Sequence, residues 1–326
     1  MRAPAPLRSF VCALASLLPG AALVACSSSG GHGGAAGTTT AGVASSTSST
    51  GGTTAPASSS STAPTATQQV LASGTIHALT YNVAGLPQGI SGSNPVRNTP
   101  QMSGKLNAYD LVVVQEDFWY HAVLERDARH TYRSAPLTTH TTLVNDGLNT
   151  FSATPFGDFT RVRWSVFHGI FGHGNDGLSS KGFSAARHEL APGVWLDVYD
   201  LHADAGGDQG DIDARLQQFA QLARFMAGYS AGNAVLVGGD TNLKHTRPQD
   251  MQILADFMGT TGLADAARTV GNAPESLDRW LFRSSAGLIL TPVRWRYADE
   301  FVDASSGDPL SDHEAVHVDF EWKWVR

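Results

Sequence analysis

The stretch AVLVGGDTN, Ala234–Asn242, joins an apolar run to a turn that carries a carboxylate and a carboxamide. A short apolar run rich in Val and Leu and closed by two glycines is typical of a buried strand. Carboxylates and carboxamides just past such strands gather where α/β sheets place their binding sites. The stretch therefore predicts a buried strand with a polar site at its end. The alternative is an ordinary turn, because Gly, Asp and Asn are common turn residues.

Several other strand-like runs also have polar residues at one end. Residues in such positions are Asn82, Glu116, His202, Asp278, Arg279, Asp312 and His313. Taken singly, each has an ordinary explanation, such as a loop residue, an ion pair, a hydrogen-bonded histidine or a surface turn. Taken together, oxygen ligands and histidines suit a divalent metal of the magnesium class and a general base. The set therefore predicts metal-assisted cleavage of a phosphoester.

Hydrophobic patterning predicts many strands and few helices between residue 70 and the end of the chain. The predicted strands are Thr75–Val83, Asp110–Glu116, Phe159–Val166, Phe183–Leu190, Val194–His202, Ala234–Gly239, Leu277–Phe282, Leu288–Trp295 and Ala315–Trp322. The predicted helices are Asp211–Tyr229, with Asp211 as the N-cap, and the weaker Tyr120–Arg129 and Pro248–Met258. The expected loops are Pro136–Asn149 and Gly169–Lys181. This order favours α/β layers with sheets at the centre.

The beginning of the chain has the pattern of an export signal. Arg2 and Arg8 precede the apolar stretch Phe10–Val24, which is too short and too interrupted for a membrane span. Cys26 ends the motif LVAC, which resembles the lipobox of bacterial lipoproteins. The resemblance implies a lipoprotein signal at residues 1–25, cleavage before the cysteine, and its lipidation. The alternative is an ordinary signal peptide that leaves a free cysteine.

Residues 26–69 are nearly all Ser, Thr, Gly, Ala and Pro, and they include no Lys, Arg, Asp or Glu. Such a segment buries too little apolar surface to offset its ordering entropy, so we expect a flexible tether or a glycosylated stalk. Residues 70–326 remain as one catalytic domain. Because Cys12 and Cys26 both precede it, this domain contains no disulfide and no thiolate site. The net charge of −7 argues against a dedicated nucleic-acid binder but does not exclude a nuclease.

The polar motifs taken in order resemble the endonuclease/exonuclease/phosphatase superfamily. Its members include deoxyribonuclease-I-like nucleases, neutral sphingomyelinases and inositol polyphosphate 5-phosphatases. The motifs are Asn82, Gln115-Glu116, His202, Gly239-Asp240-Thr241-Asn242, Leu277-Asp278-Arg279 and Ser311-Asp312-His313. The resemblance covers essentially all of Thr75–Arg326, and the usual family motif has Phe where this chain has Thr241. The resemblance implies a four-layer α/β sandwich, with two packed mixed β-sheets flanked by helices.

The resemblance also implies a metal and a water site. Mg²⁺ would be held by Glu116 and Asn82 and supported by Asp312, with Mn²⁺ or Ca²⁺ as alternatives. Asp240 would position or deprotonate the attacking water, and Asn242 would hold the phosphate. The implied reaction is in-line attack of water on phosphorus, assisted by the metal.

The remaining roles implied by the resemblance concern protons and phosphate oxygens. His313 would contact the phosphate or act as a base, oriented by Asp278. His202 would be a second phosphate-contacting or acid histidine. Lys181 and Arg279 are expected to bind phosphate.

The substrate is the least constrained prediction. The motif SSKGF at residues 179–183 resembles an element of sphingomyelinase-like members and, with the tether and the acidic charge, favours a lipid or small phosphodiester. The nearest candidates for lipid insertion are Trp119-Tyr120 and Phe167–Phe171. The alternatives are a secreted or tethered nuclease, an inositol or sugar phosphate phosphatase, and a non-catalytic ligand-binding lipoprotein. We expect an exported monomer that is tethered to a membrane by its lipid anchor, in the periplasm or at the cell surface.

Overall fold

The computed structural model describes residues 68–138, 144–169 and 179–326. The predicted export signal, the lipidation site Cys26 and nearly all of the predicted tether lie outside these residues, as does most of the predicted loop Gly169–Lys181. The described residues belong to the compact unit Pro64–Arg326. Among their helices, none combines the length and the apolar character that crossing a membrane requires.

The described chain contains twelve strands with a few helices between some of them. The strands are β1 (Val70–Asn82), β2 (Leu111–Gln115), β3 (Tyr132–Arg133), β4 (Asn149–Ser152), β5 (Phe156–Arg163), β6 (Gly182–Ala191), β7 (Val194–His202), β8 (Val235–Asp240), β9 (Ala264–Asp265), β10 (Asp278–Arg283), β11 (Leu288–Tyr297) and β12 (Val316–Val325). The helices are α1 (Pro95–Ser103), α2 (His121–Leu124), α3 (Gln209–Tyr229), α4 (Pro248–Thr261) and α5 (Ala266–Thr269), and a 3₁₀ turn at Gly104–Ala108 follows α1. Each predicted strand and helix is present, β7 with its predicted bounds and the others with shifted ends, except that only α2 is helical within the predicted Tyr120–Arg129.

The strands form two mixed sheets of six strands each. Sheet A has the order β11-β12-β1-β2-β4-β3, and sheet B has the order β5-β6-β7-β8-β10-β9. Each sheet contains one parallel pair near its centre, β1 with β2 and β7 with β8, and its other neighbours run antiparallel. The predicted sandwich of two packed mixed sheets with helices is confirmed.

The two sheets pack through alternate residues of their strands. Trp280 and Phe320 lie between the sheets, both almost inaccessible, with ring centroids 6.3 Å apart. On the other face of sheet B, Leu281 packs under α3 and α4, where Phe219 and Phe257 meet edge to face at 5.1 Å. Strand alternation thus separates two apolar layers on either side of one sheet. Truncation of one such buried aromatic to Ala typically costs about 3–5 kcal/mol.

The long helix α3 begins earlier than the sequence predicts, because Asp208 and not Asp211 is its N-cap. The Asp208 side chain accepts the Asp211 backbone N–H at 3.1 Å, and the Asp211 side chain accepts the Asp208 N–H at 3.0 Å. This reciprocal capping box satisfies two backbone donors at the start of the helix. The apolar stripe begins only at Ile212, so the first turn of α3 carries no hydrophobic signal.

Two elements that the sequence did not predict, α1 and β4, bury polar side chains. Helix α1 contains Pro100 and buries Asn98, so it lacks a regular apolar stripe. Strand β4 begins at Asn149, the last residue of the segment predicted as a loop, and its four residues are all buried. The Asn149 side chain is compensated by donating to Asp117 at 2.9 Å. Hydrogen bonds of this kind make polar strands stable without a hydrophobic pattern.

Candidate active site

The two parallel strand pairs end at the same edge of the sandwich. In sheet A, Asn82 at the end of β1 lies opposite Gln115 of β2, and in sheet B, His202 of β7 lies opposite Asp240 of β8. Strand β10 runs antiparallel to β8, so its first residue, Asp278, pairs with Asp240. Polar residues that are far apart in the sequence therefore converge here from both sheets.

Asn82 connects the carboxylates of the two sheets. Its Nδ2 donates to Glu116 Oε1 and to Asp240 Oδ2, both at 3.2 Å. Its side-chain oxygen accepts the backbone N–H of Ala84 at 3.0 Å. In this orientation Asn82 offers its amino group, and not its oxygen, to the carboxylates. The predicted role of Asn82 as a metal ligand therefore requires its amide to turn over.

Two of the predicted site residues have left-handed backbone conformations. The φ angle is 57° at Glu116 and 50° at Asn242. Asparagine tolerates this region, whereas strain at a glutamate costs roughly 1–3 kcal/mol. The surroundings hold Glu116 in place, since Gly85 donates its N–H to the Glu116 carbonyl at 3.0 Å and a Cβ at Gly147 would lie 2.9 Å from Glu116 Cα. Backbone strain of this kind clusters at functional sites.

Asp240 is the buried centre of the site, with 1% of its surface exposed. Its Oδ2 lies 3.3 Å from His202 Nε2 and 3.8 Å from His313 Nε2, and its Oδ1 accepts the Asn242 N–H at 3.0 Å. Burial alone would raise the pKa of Asp240, but the facing imidazoles and the nearby Lys181 ammonium bring that pKa below its ordinary value. Asp240 is therefore an anion held between cationic groups.

His313 is held by the buried carboxylate of Asp278. Its Nδ1 lies 2.8 Å from Asp278 Oδ2, which leaves Nε2 directed toward Asp240. Burial by itself would lower the pKa of His313, but the charges of Asp278 and Asp240 outweigh it and raise this pKa to about 10. A carboxylate on one ring nitrogen fixes the orientation of the imidazole and leaves the other nitrogen for the reaction.

Two of the predicted phosphate-binding groups meet at one backbone oxygen. Lys181 Nζ lies 3.5 Å from the carbonyl oxygen of Ala203, and Asn242 Nδ2 donates to the same oxygen at 3.1 Å. Lys181 is only 7% exposed, and its charge acts on Asp240. The structure therefore places Lys181 and Asn242 next to the buried anion.

Two other predicted site residues lie apart from this group. Arg279 is the second residue of β10, and strand alternation turns its side chain toward the opposite face of the sheet. There its Nη2 donates to the Leu243 carbonyl at 3.0 Å and its Nη1 lies 3.5 Å from Asp265. The structure thus gives no support to phosphate binding by Arg279. Asp312 is exposed at the rim of the edge, with its Oδ1 3.4 Å from the Ser311 hydroxyl.

Two buried carboxyl groups beside the site, Asp117 and Asp200, were not predicted from the sequence as site residues. Asp117 is 1% exposed and lies 2.5 Å from His121 Nδ1. Asp200 accepts a hydrogen bond of 2.7 Å from Gln115 Nε2, across the two sheets, and burial raises the pKa of Asp200 well above its ordinary value. Their positions in the sequence could have indicated them, because Asp117 follows the predicted site residue Glu116 and Asp200 lies two residues before the predicted site residue His202.

The donor set at this edge fits a divalent cation that prefers oxygen. Glu116 and Asp240 present carboxylate oxygens to the same amino group of Asn82, so two negative charges approach each other at a partly buried position. Buried charges need compensation, and carboxylate and amide oxygens are the ligands that magnesium prefers. Asp240, Asp278 and His313 also offer ligand atoms within 4.8 Å of one another. These residues can therefore hold an ion of the magnesium class.

Comparison with known proteins finds relatives in sequence. The sphingomyelinases of Mycobacterium tuberculosis and Mycobacterium bovis are each 34% identical to this chain over 275 residues, which cover 77% of the chain. The match covers 53% of each mycobacterial protein, so the chain spans about half the length of the curated relatives it matches. No protein-family model matches the chain.

Solved structures show the same fold at lower identity. Sphingomyelinase C from Streptomyces griseocarneus has a TM-score of 0.57 and 20% identity, covering 76% of this chain and 99% of that one. A magnesium-bound mutant of beta toxin from Staphylococcus aureus has a TM-score of 0.56 and 17% identity, covering 74% and 98%. Zebrafish (D. rerio) TDP2 with a single-strand DNA product has a TM-score of 0.59 and 16% identity, covering 76% and 98%. The sequence identity, the shared fold and the converging strand-end residues establish that the chain belongs to the endonuclease/exonuclease/phosphatase superfamily.

Proposed function

We propose that the chain is a magnesium-dependent phosphodiester hydrolase. The observation that carries the proposal is the approach of His202 and His313 to the one buried carboxylate of Asp240, at 3.3 and 3.8 Å. An anion between two imidazoles can position a water molecule and pass protons at a reacting phosphate. The sphingomyelinase relatives support the reaction class, and the beta toxin structure with bound magnesium supports the metal, with Mn²⁺ or Ca²⁺ as alternatives.

The reaction forms a bond from the water oxygen to phosphorus and breaks one phosphorus–oxygen ester bond. Asp240 orients the water and takes its proton, and an imidazolium, His202 or His313, returns a proton to the departing alcohol oxygen. Asp278 fixes the ring of His313, and Asn242 donates to a phosphate oxygen. An ion held by Glu116 and its neighbours would neutralise phosphate charge and polarise the phosphorus–oxygen bond. The products are a phosphomonoester and an alcohol.

Sphingomyelin is the substrate that we propose first. The support comes from the mycobacterial sphingomyelinases, at 34% identity, and from the structure of sphingomyelinase C. Trp119, three residues after Glu116, is 56% exposed, and an indole beside the site suits contact with a lipid surface. A lipid substrate also agrees with an enzyme tethered at a membrane.

The test is hydrolysis by the full chain, with Mg²⁺, of sphingomyelin in vesicles and of bis-p-nitrophenyl phosphate. We expect turnover that falls about 10²–10⁴-fold in His313→Ala and that requires the metal. Glu116→Gln should raise the Mg²⁺ concentration needed for half-maximal activity, while the matched change Glu321→Gln, at an exposed residue of β12, should change nothing. Metal-independent turnover, or equal loss in both glutamate variants, would contradict the proposed site.

A nuclease is the second candidate, and the fold shared with DNA-bound TDP2 is the observation that favours it. The discriminating measurement adds single-stranded and plasmid DNA to the same substrate panel. Cleavage of DNA that is lost in His313→Ala, with no cleavage of sphingomyelin, would replace the lipid proposal and keep the mechanism. An inositol or sugar phosphate phosphatase would instead release inorganic phosphate from monoesters.

We also propose that the chain is a monomeric lipoprotein, exported and tethered by Cys26 through residues 26–69, with residues 70–326 as its catalytic domain. The support is the sequence pattern, namely the basic start, the apolar stretch and the LVAC motif. The test is the membrane fraction of cells that express the full chain. Cys26→Ser should release the protein from that fraction, and an unchanged distribution would refute the anchor.

A further inference from the structure

Two histidines and a carboxylate lie together on the outer face of sheet A, away from the strand ends. Strands β1 and β12 are antiparallel, and their register puts His77 directly opposite Asp319. His317 lies two residues before Asp319, so strand alternation sends both side chains to the same face. Leu79, on this face of β1, belongs to the apolar cluster packed under α1.

Both imidazoles approach one oxygen of the carboxylate. Asp319 Oδ1 lies 2.6 Å from His77 Nδ1 and 2.6 Å from His317 Nε2. The three ligand atoms lie within 4.8 Å of one another. His317 and Asp319 are 5% and 8% exposed, whereas the His77 side chain is 49% exposed. The cluster is therefore preassembled on two buried groups and open to solvent at the third.

We propose that His77, His317 and Asp319 bind Zn²⁺ or a chemically similar transition-metal ion. Two imidazoles and one carboxylate, with room left for water, are a ligand set that suits zinc. The active-site edge, in contrast, offers mainly oxygen donors, which suit magnesium. The bound ion would join the first strand of the described domain to its last strand, and so would act as a clip between β1 and β12.

The charges around the cluster are compatible with a cation. Arg296 is the cross-strand neighbour of His317, but it pairs with Glu300 at 2.9 Å, so its charge is compensated. Asp110 accepts the His77 backbone N–H at 2.9 Å and adds a carboxylate nearby. Metal binding leaves the His317 proton on Nδ1, which has no hydrogen-bond partner among the described residues. With only three protein ligands, we expect weaker binding than at a closed four-ligand site.

The proposed zinc site is separate from the active site. Asn82 is five residues beyond His77 on β1, which corresponds to about 16 Å at ~3.3 Å per residue. The two sites share no ligand, so each can be removed without the other. Success or failure of the phosphodiesterase proposal therefore does not decide this one.

The test is titration of the full chain, without a histidine tag, with Co²⁺ and then with competing Zn²⁺, in excess Mg²⁺. Cobalt bound to imidazole in a site of low coordination number gives visible absorption, so the spectrum reports the ligand set directly. The variants are His77→Ala, which changes a half-exposed side chain and should fold, and Asp319→Asn. The controls are His313→Ala, in the active site, and His245→Ala, at an exposed residue.

We expect one Zn²⁺ per chain in the wild type and in both controls. The Kd for Zn²⁺ should rise at least about 10–100-fold in His77→Ala and in Asp319→Asn, since even supporting groups of a metal site carry an effect of that size. Zn²⁺ at about 100 times its Kd should also raise the Tm of the wild type, but not of His77→Ala, by about 5 °C. An unchanged Kd in His77→Ala, loss of binding in His313→Ala, or no Zn²⁺ bound by the wild type would overturn the proposal.

Discussion

The buried imidazole of His188 should make the fold sensitive to mild acid. His188, on β6, is 2% exposed, its ring stacks against Phe156 with centroids 4.8 Å apart, and its Nδ1 lies 3.3 Å from the Ser152 hydroxyl. Its Nε2 has no hydrogen-bond partner among the described residues. Protonation would place a charge in this apolar environment, so burial lowers the pKa of His188 from 6.5 to about 3.

The size of the effect follows from proton linkage. Below pH 6.5, His188 binds a proton in the unfolded chain but not in the folded protein. Its contribution to the free energy of unfolding is therefore fully present above pH 6.5 and is lost as the pH falls toward 3. At about pH 4.5, roughly two units below the ordinary pKa, the loss is about 3 kcal/mol at ~1.4 kcal/mol per unit. With a urea m value of about 3 kcal/mol/M, the unfolding midpoint should fall by about 1 M from this group alone.

The assay is urea unfolding, followed by tryptophan fluorescence, at neutral pH and near pH 4.5. The variant His188→Gln keeps a polar side chain of similar size but cannot titrate, so its loss of stability in acid should be smaller than that of the wild type by about 3 kcal/mol. The matched control is His245→Gln, which removes an exposed histidine and should behave like the wild type. Equal losses in His188→Gln and in the wild type would refute the reasoning.

Two further predictions concern charged groups. Arg161 donates to both oxygens of Asp146, at 2.8 and 2.7 Å, and both side chains are mostly buried, so Arg161→Met should lower the unfolding free energy by about 3 kcal/mol. The matched change Arg126→Met, in an exposed ion pair, should lower it much less, and similar losses for the two variants in urea unfolding would contradict this difference. In the metal-free protein, Asp278→Asn should bring the pKa of His313 down from about 10 toward 6.5, as measured by NMR titration of the ring. A value that stays near 10 would show that the charge of Asp278 does not raise the pKa of His313.

The sequence was most informative where apolar runs end abruptly. Strand β7 was predicted with its observed bounds, because the alternation in Val194–His202 is flanked by Pro192-Gly193 and ends before a polar loop. The same reasoning located Asn82, Glu116 and Asp240, since each lies at the end of a buried run. Parallel neighbours then bring such ends together at one edge. Their convergence at one edge was therefore expected from the sequence, whereas the strand order that brings them together comes from the structure.

What the sequence could not supply depends on partners distant along the chain. Strand β4 is polar in sequence, and its burial becomes favourable only because residues such as Asp117 accept its hydrogen bonds. The side chain of Arg279 lies on the face that the alternation of residues in β10 gives it. An error of one residue in that alternation would place it on the opposite face of the sheet. The amide orientation of Asn82 depends on the backbone N–H of Ala84. These features depend on tertiary contacts, so no local sequence pattern encodes them.

The same dependence explains why the site can be held so tightly. Asn82 and Glu116 come from sheet A, while Asp240 comes from sheet B, so a slide of one sheet against the other would break the 3.2 Å contact between Asn82 and Asp240. Directly behind them, Gln115 donates across the sheets to Asp200 at 2.7 Å, in the core. A buried hydrogen bond between the sheets contributes little net free energy of folding, but it requires one relative position of the two sheets. Apolar contacts in its place would allow several such positions. This bond therefore restricts the register between the sheets, next to the left-handed backbone of Glu116.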